Sequence, residues 1–361
     1  MKQVLVTGGA GFIGSNFIRY LLEVEPQVRV INLDALTYAG SLENLKDLPD
    51  PERHVFVHGN ICDPGLVDDL FHQQAIDTVV HFAAESHVDR SILGPGQFVQ
   101  TNIVGTFTLL EAARKAWLAD KTVPLETARF HHVSTDEVFG SLAPADPPFN
   151  ETTPYAPRSP YAASKASSDH LVRAYFHTYR LPVTITNCSN NYGPYQFPEK
   201  LIPLIILNAV SGRPLPIYGD GMQVRDWLYV MDHCKAIRKV ILQGRLGETY
   251  AVGGDNQPPN LEIVRTICTI LDELLPASTH VPHASLMQFV TDRPGHDRRY
   301  DMAITKIREE LGWQPRQSLQ TGLKKTVEWY LQHADWVAAV YQHPDFQGWV
   351  KQNYTGRGAQ A

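Results

Sequence analysis

Cysteine is scarce in this chain: four among 361 residues. Cys62, Cys188, Cys234 and Cys268 lie far apart and form no C-x-x-C pair. That spacing argues against a disulfide framework and a zinc site, so no metal is expected, and it fits a reducing compartment. Positive charge is also short. Lys and Arg number 32 against 38 Asp and Glu, a net charge of -6. An acidic balance speaks against a nucleic-acid partner, although a few arginines and backbone dipoles can still hold a small anion. Long apolar runs are missing as well. The stretch 201–210 is broken by Pro203 and Asn208 and is too short for a bilayer, so no membrane partner is expected. No charged and apolar leader precedes the first strand pattern, so a signal peptide is not expected and a cytoplasmic location is. Internal repeats are lacking, and low complexity is confined to the last few residues.

What is present is an alternation. Short, almost continuously apolar runs at 4–6, 28–33, 54–57, 78–82, 130–133 and 183–186 have the character of strands buried on both faces. Helical patterns at 12–24, 64–74, 97–118 and 160–180 separate them. Such alternation predicts an α/β fold with a doubly wound parallel Rossmann sheet. After about residue 190, Pro, Gly and aromatic residues punctuate shorter elements. The expected division is a nucleotide-binding domain over 1–190 and a smaller C-terminal substrate-binding lobe over 191–361. Some segments of that lobe should return to the sheet, 248–252 first among them. The Pro-rich stretch 144–160 should be a loop.

Gly8-Gly9-Ala10-Gly11-Phe12-Ile13-Gly14 follows the first strand and opens the first helix. In that context one glycine makes the tight turn, one lets the backbone approach a pyrophosphate, and Gly14 permits close helix–strand packing. The helix N-terminus then offers free N–H groups to phosphate. Asp34 ends the next strand about 20 residues on, where a carboxylate accepts from ribose hydroxyls and repels a 2′-phosphate, which points to NAD rather than NADP. Asn60-Ile61 follows the third strand, where an adenine edge would lie; a plain turn accounts for Asn60 equally well.

Two further clusters carry chemistry. Tyr161 and Lys165 stand four apart, on one face of a helix. An ammonium there should lower the phenol pKa and make Tyr161 a base towards a sugar hydroxyl. Thr135-Asp136-Glu137 follows the strand at 130–133, in the crevice where open α/β sheets bind ligands. One reading is an acidic first helical turn. The other is an acid/base pair with separated pKa values. His131-His132 lies on a strand with alternating faces and is expected to have no acidic partner nearby, so no metal site is read there.

These residues resemble the extended short-chain dehydrogenase/reductase family, along nearly the whole chain. Within it the chain is similar to the branch that dehydrates nucleotide-linked hexoses. The glycine turn and the Tyr161/Lys165 pair mark only the superfamily. More specific are the run Ala83 to Ser91, Thr135-Asp136-Glu137, the run Asn187 to Pro194, Arg225-Asp226-Trp227 and the run Asp292 to Asp297. The resemblance implies a lyase that removes water across C5 and C6 of dTDP-glucose, with NAD regenerated in each turnover. Tyr161 and Lys165 would serve C4, Thr135 would bond near O4, Glu137 would take the C5 proton and Asp136 would donate to the departing hydroxyl.

The resemblance also implies a binding set. For NAD it comprises Gly8, Gly11, Phe12, Ile13, Gly14, Asp34, Leu36, Thr37, Asn60, Ile61, Phe82, Ala83, Ala84, Ser86, Thr101 and Asn191, with Tyr161 and Lys165. For the nucleotide-sugar it comprises Ser86, Thr135, Asn190, Lys200, Leu201, Pro216, Ile217, Tyr218, Arg225, Asn260, Arg293 and His296. Arg225 suits a diphosphate as a bidentate donor; a structural ion pair with Asp226 or another acid is the alternative. A homodimer through the helices at 97–118 and 160–180 is implied too. Two departures stand out: Asn60 where many relatives carry Asp, and a 144–160 loop shorter than in some. The competing functions are a UDP-sugar dehydratase or epimerase of the same family and a non-enzymatic NAD-sensing module.

Overall fold

The computed structural model describes residues 1–292 and 296–342. Its strands are β1 (Gln3–Thr7), β2 (Arg29–Asp34), β3 (His54–His58), β4 (Thr78–His81), β5 (Arg129–Thr135) and β6 (Val183–Cys188), then β7 (Asn190–Tyr192), β8 (Leu215–Tyr218), β9 (Trp227–Tyr229), β10 (Thr249–Val252) and β11 (Met287–Val290). Seven of them form one sheet in the order β10-β6-β5-β4-β1-β2-β3. Every pairing in it is parallel. This is the expected doubly wound sheet, and all six strands read from the first half fall where the apolar runs lie.

Helices α1 (Phe12–Val24), α2 (Pro64–Gln74), α3 (Val88–Leu93), α4 (Pro95–Phe98), α5 (Thr106–Arg114) and α6 (Pro160–Tyr179) belong to the first half. α6 has a built-in start: Ser159 Oγ accepts from Ala162 N at 3.1 Å and Pro160 takes the first helical position. The helix expected over 97–118 is not one uniform α-helix. Wide π turns at Val99–Gly105 and Lys115–Ala119 flank α5. Such turns re-aim side chains and recur at functional sites. Here the first of them carries Thr101 and Asn102.

The C-terminal half contributes α7 (Leu201–Val210), α8 (Val230–Gln243), α9 (Asn260–Leu274), α10 (Thr305–Leu311), α11 (Leu319–Gln332) and α12 (Ala334–Tyr341). Alternation along β1 sends Val4 and Val6 to one face, against α1 and α8, and Leu5 to the other, against α2, α5 and α6. The return to the sheet is therefore larger than 248–252 alone, since α8 covers one face beside α1. A separate apolar core joins α7, α9, α11 and β8 into a lobe. The 144–160 stretch is irregular up to α6. Among the described residues, no helix is long and apolar enough to cross a membrane.

Candidate active site

The glycine turn closes because two positions, Gly8 and Gly14, leave no room for a side chain against the backbone. Gly8 has a φ of +73°, and a Cβ there would lie 2.7 Å from Ala83 N. At Gly14 it would lie 2.3 Å from Gly8 O. Asp34 Oδ2 accepts from Ala10 N and Oδ1 from Leu36 N, both at 2.8 Å. Burial raises this carboxyl's pKa, opposed by the two N–H groups and by His58. The cradle thus fits a dinucleotide: backbone fills the space a side chain would need, and a fixed acid stands at the end of β2.

The wall opposite is the segment after β4. Phe82 N donates to Thr7 O at 3.0 Å and Ala83 N to Thr7 Oγ1 at 3.3 Å. Asn102, from the first π turn, clamps Glu85 on both sides: its Oδ1 accepts from Glu85 N at 2.9 Å and its Nδ2 donates to Glu85 O at 3.0 Å. The same amide donates to Ser164 Oγ at 2.8 Å, locking this wall to α6.

Between these walls lies a cavity of about 330 Å³. It holds every expected NAD residue except Leu36, which gives its N–H to Asp34 rather than a side chain to the space. Asn60 lines the cavity while its Oδ1 also accepts from Cys62 N at 2.9 Å, so it serves the turn as well. A second cavity of about 190 Å³ opens under the C-terminal lobe. Leu201, Pro216, Tyr218, Arg225, Asn260 and His296 line it. Asn190, Lys200 and Glu137 border both cavities, whereas Ser86 and Thr135 line the first. Ile217 lines neither: alternation along β8 turns it into the core of the lobe while Pro216 and Tyr218 face the space. Arg293 lies outside the described residues.

Arg225 does not bear out the simple pair with Asp226. Its Nη1 donates to Val224 O and its Nη2 to Asp297 O, and its guanidinium lies 4.4 Å from the Tyr300 ring centre. Asp226 instead accepts from the backbone of Gly254 and Asn256. His296 Nδ1 stands 2.6 Å from Asp292 Oδ1 at the cavity edge.

The residues expected to carry the chemistry lie where the cavities meet. Thr135 ends β5 and caps a short 3-10 turn, Asp136–Phe139, its Oγ1 accepting from Glu137 N at 3.2 Å. The same Oγ1 lies 3.1 Å from Asp136 Oδ1. Asp136 is 2% exposed, whereas Glu137 is half-buried. Burial first, and then the Glu137 charge, push the Asp136 carboxyl well above its ordinary pKa. Tyr161 and Lys165 reach the same place from α6, and Lys165 Nζ donates to Val133 O at 2.8 Å. Burial lowers the Lys165 pKa to about 8, with Asp169 opposing the fall.

Two sequence expectations are corrected here. The Tyr161 phenol is pushed up, not down, because its burial and the Glu137 charge outweigh a hydrogen bond from Thr135. His132 does have an acidic partner, Asp169 Oδ1, 3.2 Å from its Nε2. That acid comes from α6, which adjacency in sequence cannot reveal. No group of three metal-binding side chains occurs among the described residues.

Sequence reasoning also missed Gln196, Glu199, Cys188 and Tyr300, all of which line the cavities. Glu199 had a signal in Pro198-Glu199-Lys200, charged residues placed just ahead of an apolar helix. Cys188 and Tyr300 offered none beyond bulk.

The family model described as GDP-mannose 4,6 dehydratase matches residues 5–326. A dTDP-glucose 4,6-dehydratase from Salmonella typhimurium is 54% identical over 98% of this chain and 99% of its own length. The crystal structure of a dTDP-glucose 4,6-dehydratase from Streptomyces venezuelae with NAD bound is 47% identical, with a TM-score of 0.84, over 94% of this chain and 99% of that one. A UDP-glucose 4-epimerase from Thermotoga maritima shares the fold at a TM-score of 0.80 but only 28% identity, over 92% of this chain and 99% of that one. This chain belongs to the extended short-chain dehydrogenase/reductase family and, within it, to the dTDP-glucose 4,6-dehydratases.

Proposed function

We propose that this chain converts dTDP-glucose into dTDP-4-keto-6-deoxyglucose and water. The observation that carries the reading is the Thr135-Asp136-Glu137 turn at the junction of the two cavities, facing Tyr161 and Lys165.

The glycine turn, Asp34, Thr101 and Lys165 would hold NAD in the first cavity. The diphosphate of the sugar nucleotide would lie in the second, beside Arg225 and His296. NAD supplies, when bound, an acceptor for hydride from C4 and its return to C6, together with a positive ring that offsets the carboxylates around Tyr161. Tyr161 OH, once deprotonated, takes the proton of the C4 hydroxyl, and Lys165 stabilises that phenolate. The resulting C4 ketone acidifies the proton on C5, which a Glu137 carboxylate oxygen removes. Burial, and then the neighbouring Glu137 charge, favour the protonated form of Asp136, so it can protonate the C6 oxygen as that bond breaks. Glu137 then returns its proton to C5. The water that leaves carries the C6 oxygen, its own hydrogen and the Asp136 proton, and the balance closes when the proton that Tyr161 took from the C4 hydroxyl passes to Asp136, restoring phenolate and acid for the next turnover.

The enzyme is proposed to act in the cytoplasm, in keeping with four free cysteines. It is further proposed to be a homodimer through the helical run 97–118 and α6. Val99, Phe107 and Tyr179 support this, being large apolar side chains 45–50% exposed on those elements. Light scattering at twice the chain mass is the expected result, and a monomer refutes the dimer.

Purified protein offered dTDP-glucose and UDP-glucose side by side tests the function. A 4-keto-6-deoxy product from the thymidine nucleotide is expected, seen by its enone absorbance in alkali. A C4-inverted sugar that keeps its C6 oxygen would refute the proposal.

A further inference from the structure

Beneath Tyr161 and Lys165 lies a set of titratable groups that the scheme above leaves unused. Asp169 stands one more turn along α6, so positions 161, 165 and 169 form a stripe at i, i+4 and i+8. Its side chain is fully enclosed. Oδ2 accepts from Ser134 Oγ at 2.8 Å, from Tyr155 OH at 2.7 Å and from Asn187 Nδ2 at 3.2 Å. Oδ1 faces His132 Nε2 at 3.2 Å, and that nitrogen is 3.4 Å from Lys165 Nζ. Asn187 Nδ2 also donates to Thr135 O at 3.1 Å, so one amide ties the buried carboxylate to the first residue of the catalytic turn.

A charge removed from water persists only when donors and opposite charge surround it. Burial alone would raise the Asp169 pKa, but His132, Lys165 and Tyr155 together hold it below the ordinary value. On the far side, Arg173 Nη2 donates to Tyr155 OH at 2.7 Å. The groups facing Lys165 are His81 on β4, His132 on β5 and Cys188 on β6, with Tyr161 and Asp169 on its own helix. Burial and the Lys165 charge bring His132 down to about 4, so the imidazole is neutral near pH 7. Burial likewise pushes the Cys188 thiol up to about 12, leaving it uncharged.

We propose that Asp169 is a positioning residue for the reaction: its charge, facing Lys165 across His132, keeps the lysine an ammonium in a dry site. Its contacts with Ser134 and Asn187 hold the end of β5, from which Thr135, Asp136 and Glu137 project. The inference rests on the role proposed for Lys165 in C4 oxidation.

The test is the pH dependence of C4 oxidation in single turnovers with dTDP-glucose, read as absorbance of the reduced cofactor. It is run in an Asp136→Asn background, in which the later loss of water lacks its acid and the reduced cofactor accumulates, so the absorbance reports C4 oxidation alone. The rate then falls as pH passes through the Lys165 pKa. Asp169→Asn withdraws the opposing charge and moves this alkaline limb about one unit to lower pH. Ser134→Ala removes a hydrogen bond but no charge, so it slows the step and leaves the limb in place. An unmoved limb in Asp169→Asn, or an equal displacement in Ser134→Ala, overturns the inference. Should Asp169→Asn not fold, Arg173→Gln decides the matter, because it withdraws the cation beyond Asp169 and moves the limb to higher pH. A limb that stays, or moves the other way, overturns the inference. Wild-type protein that leaves dTDP-glucose unchanged would instead sink the proposed function, a result distinct from either.

Discussion

Replacing Asp136 by Asn tests the proposed division of labour most directly, because the change keeps shape and removes one proton. The side chain is 2% exposed, and its Oδ1 lies 3.1 Å from Thr135 Oγ1. An amide can keep that contact, so fold and substrate affinity should survive. What it cannot do is give up a proton to the C6 oxygen. Enclosure this complete leaves little path for water to substitute. General acid catalysis contributes typically ~10²–10⁴-fold. A buried acid without a solvent deputy belongs in the upper part of that range, so kcat should fall about 10³-fold, or about 4 kcal/mol. C4 oxidation needs only Tyr161 and Lys165, so the reduced cofactor should accumulate after mixing, while KM changes less than about threefold. Rapid-mixing absorbance and steady-state kinetics read the two quantities. A variant that turns over at the wild-type rate, or one that loses kcat without building up reduced cofactor, would show that the proton for C6 comes from elsewhere.

The remaining expectations concern neighbouring parts of the site. Glu137→Gln should slow solvent exchange of the C5 proton by about 10² or more while leaving KM nearly unchanged; equal losses in both, by deuterium incorporation and kinetics, would mean that this carboxylate has been misassigned. Gly14→Ala would set a Cβ 2.3 Å from Gly8 O and 2.8 Å from Gly9 Cα, both backbone atoms that cannot step aside. It should cost about 1–3 kcal/mol of stability and release NAD on gel filtration. A variant that keeps its cofactor and its denaturation midpoint would remove the close-packing argument for this glycine.

The order of β1 to β6 could be read from the chain because strands buried on both faces leave little freedom in residue choice. Val4, Leu5 and Val6 must all be apolar when their side chains alternate between two helical layers. The glycine turn was equally plain, since a missing Cβ is itself a sequence signal. What could not be read depends on residues brought together from distant segments. Asp169 reaches His132 from another element, 37 positions away in the chain numbering of the two residues. The resemblance assigned Ile217 to the ligand together with Pro216 and Tyr218, and only the twofold alternation of β8 separates them. The direction of the Tyr161 shift was missed for a related reason. A helical spacing places Lys165 nearby, but it carries no information about how deeply the phenol is buried or how much negative charge Glu137 adds from the turn after β5.

That charge explains why the two acids of the catalytic turn can stand side by side. Along a 3-10 turn, consecutive side chains leave in different directions, so Asp136 enters the protein while Glu137 remains half-buried between the cavities. Burial first, and then the Glu137 charge, raise the pKa of Asp136 and favour its acid form, a consequence that two equally exposed neighbours would not share. The same charge opposes ionisation of Tyr161. A carboxylate pair suited to elimination is therefore a handicap for the oxidation that must come first, and positive charge has to offset it. On the proposed roles, Lys165 held as an ammonium in a closed site is this chain's own contribution to that balance, which would make the enclosed groups behind it as much a part of the chemistry as the residues that line the cavity.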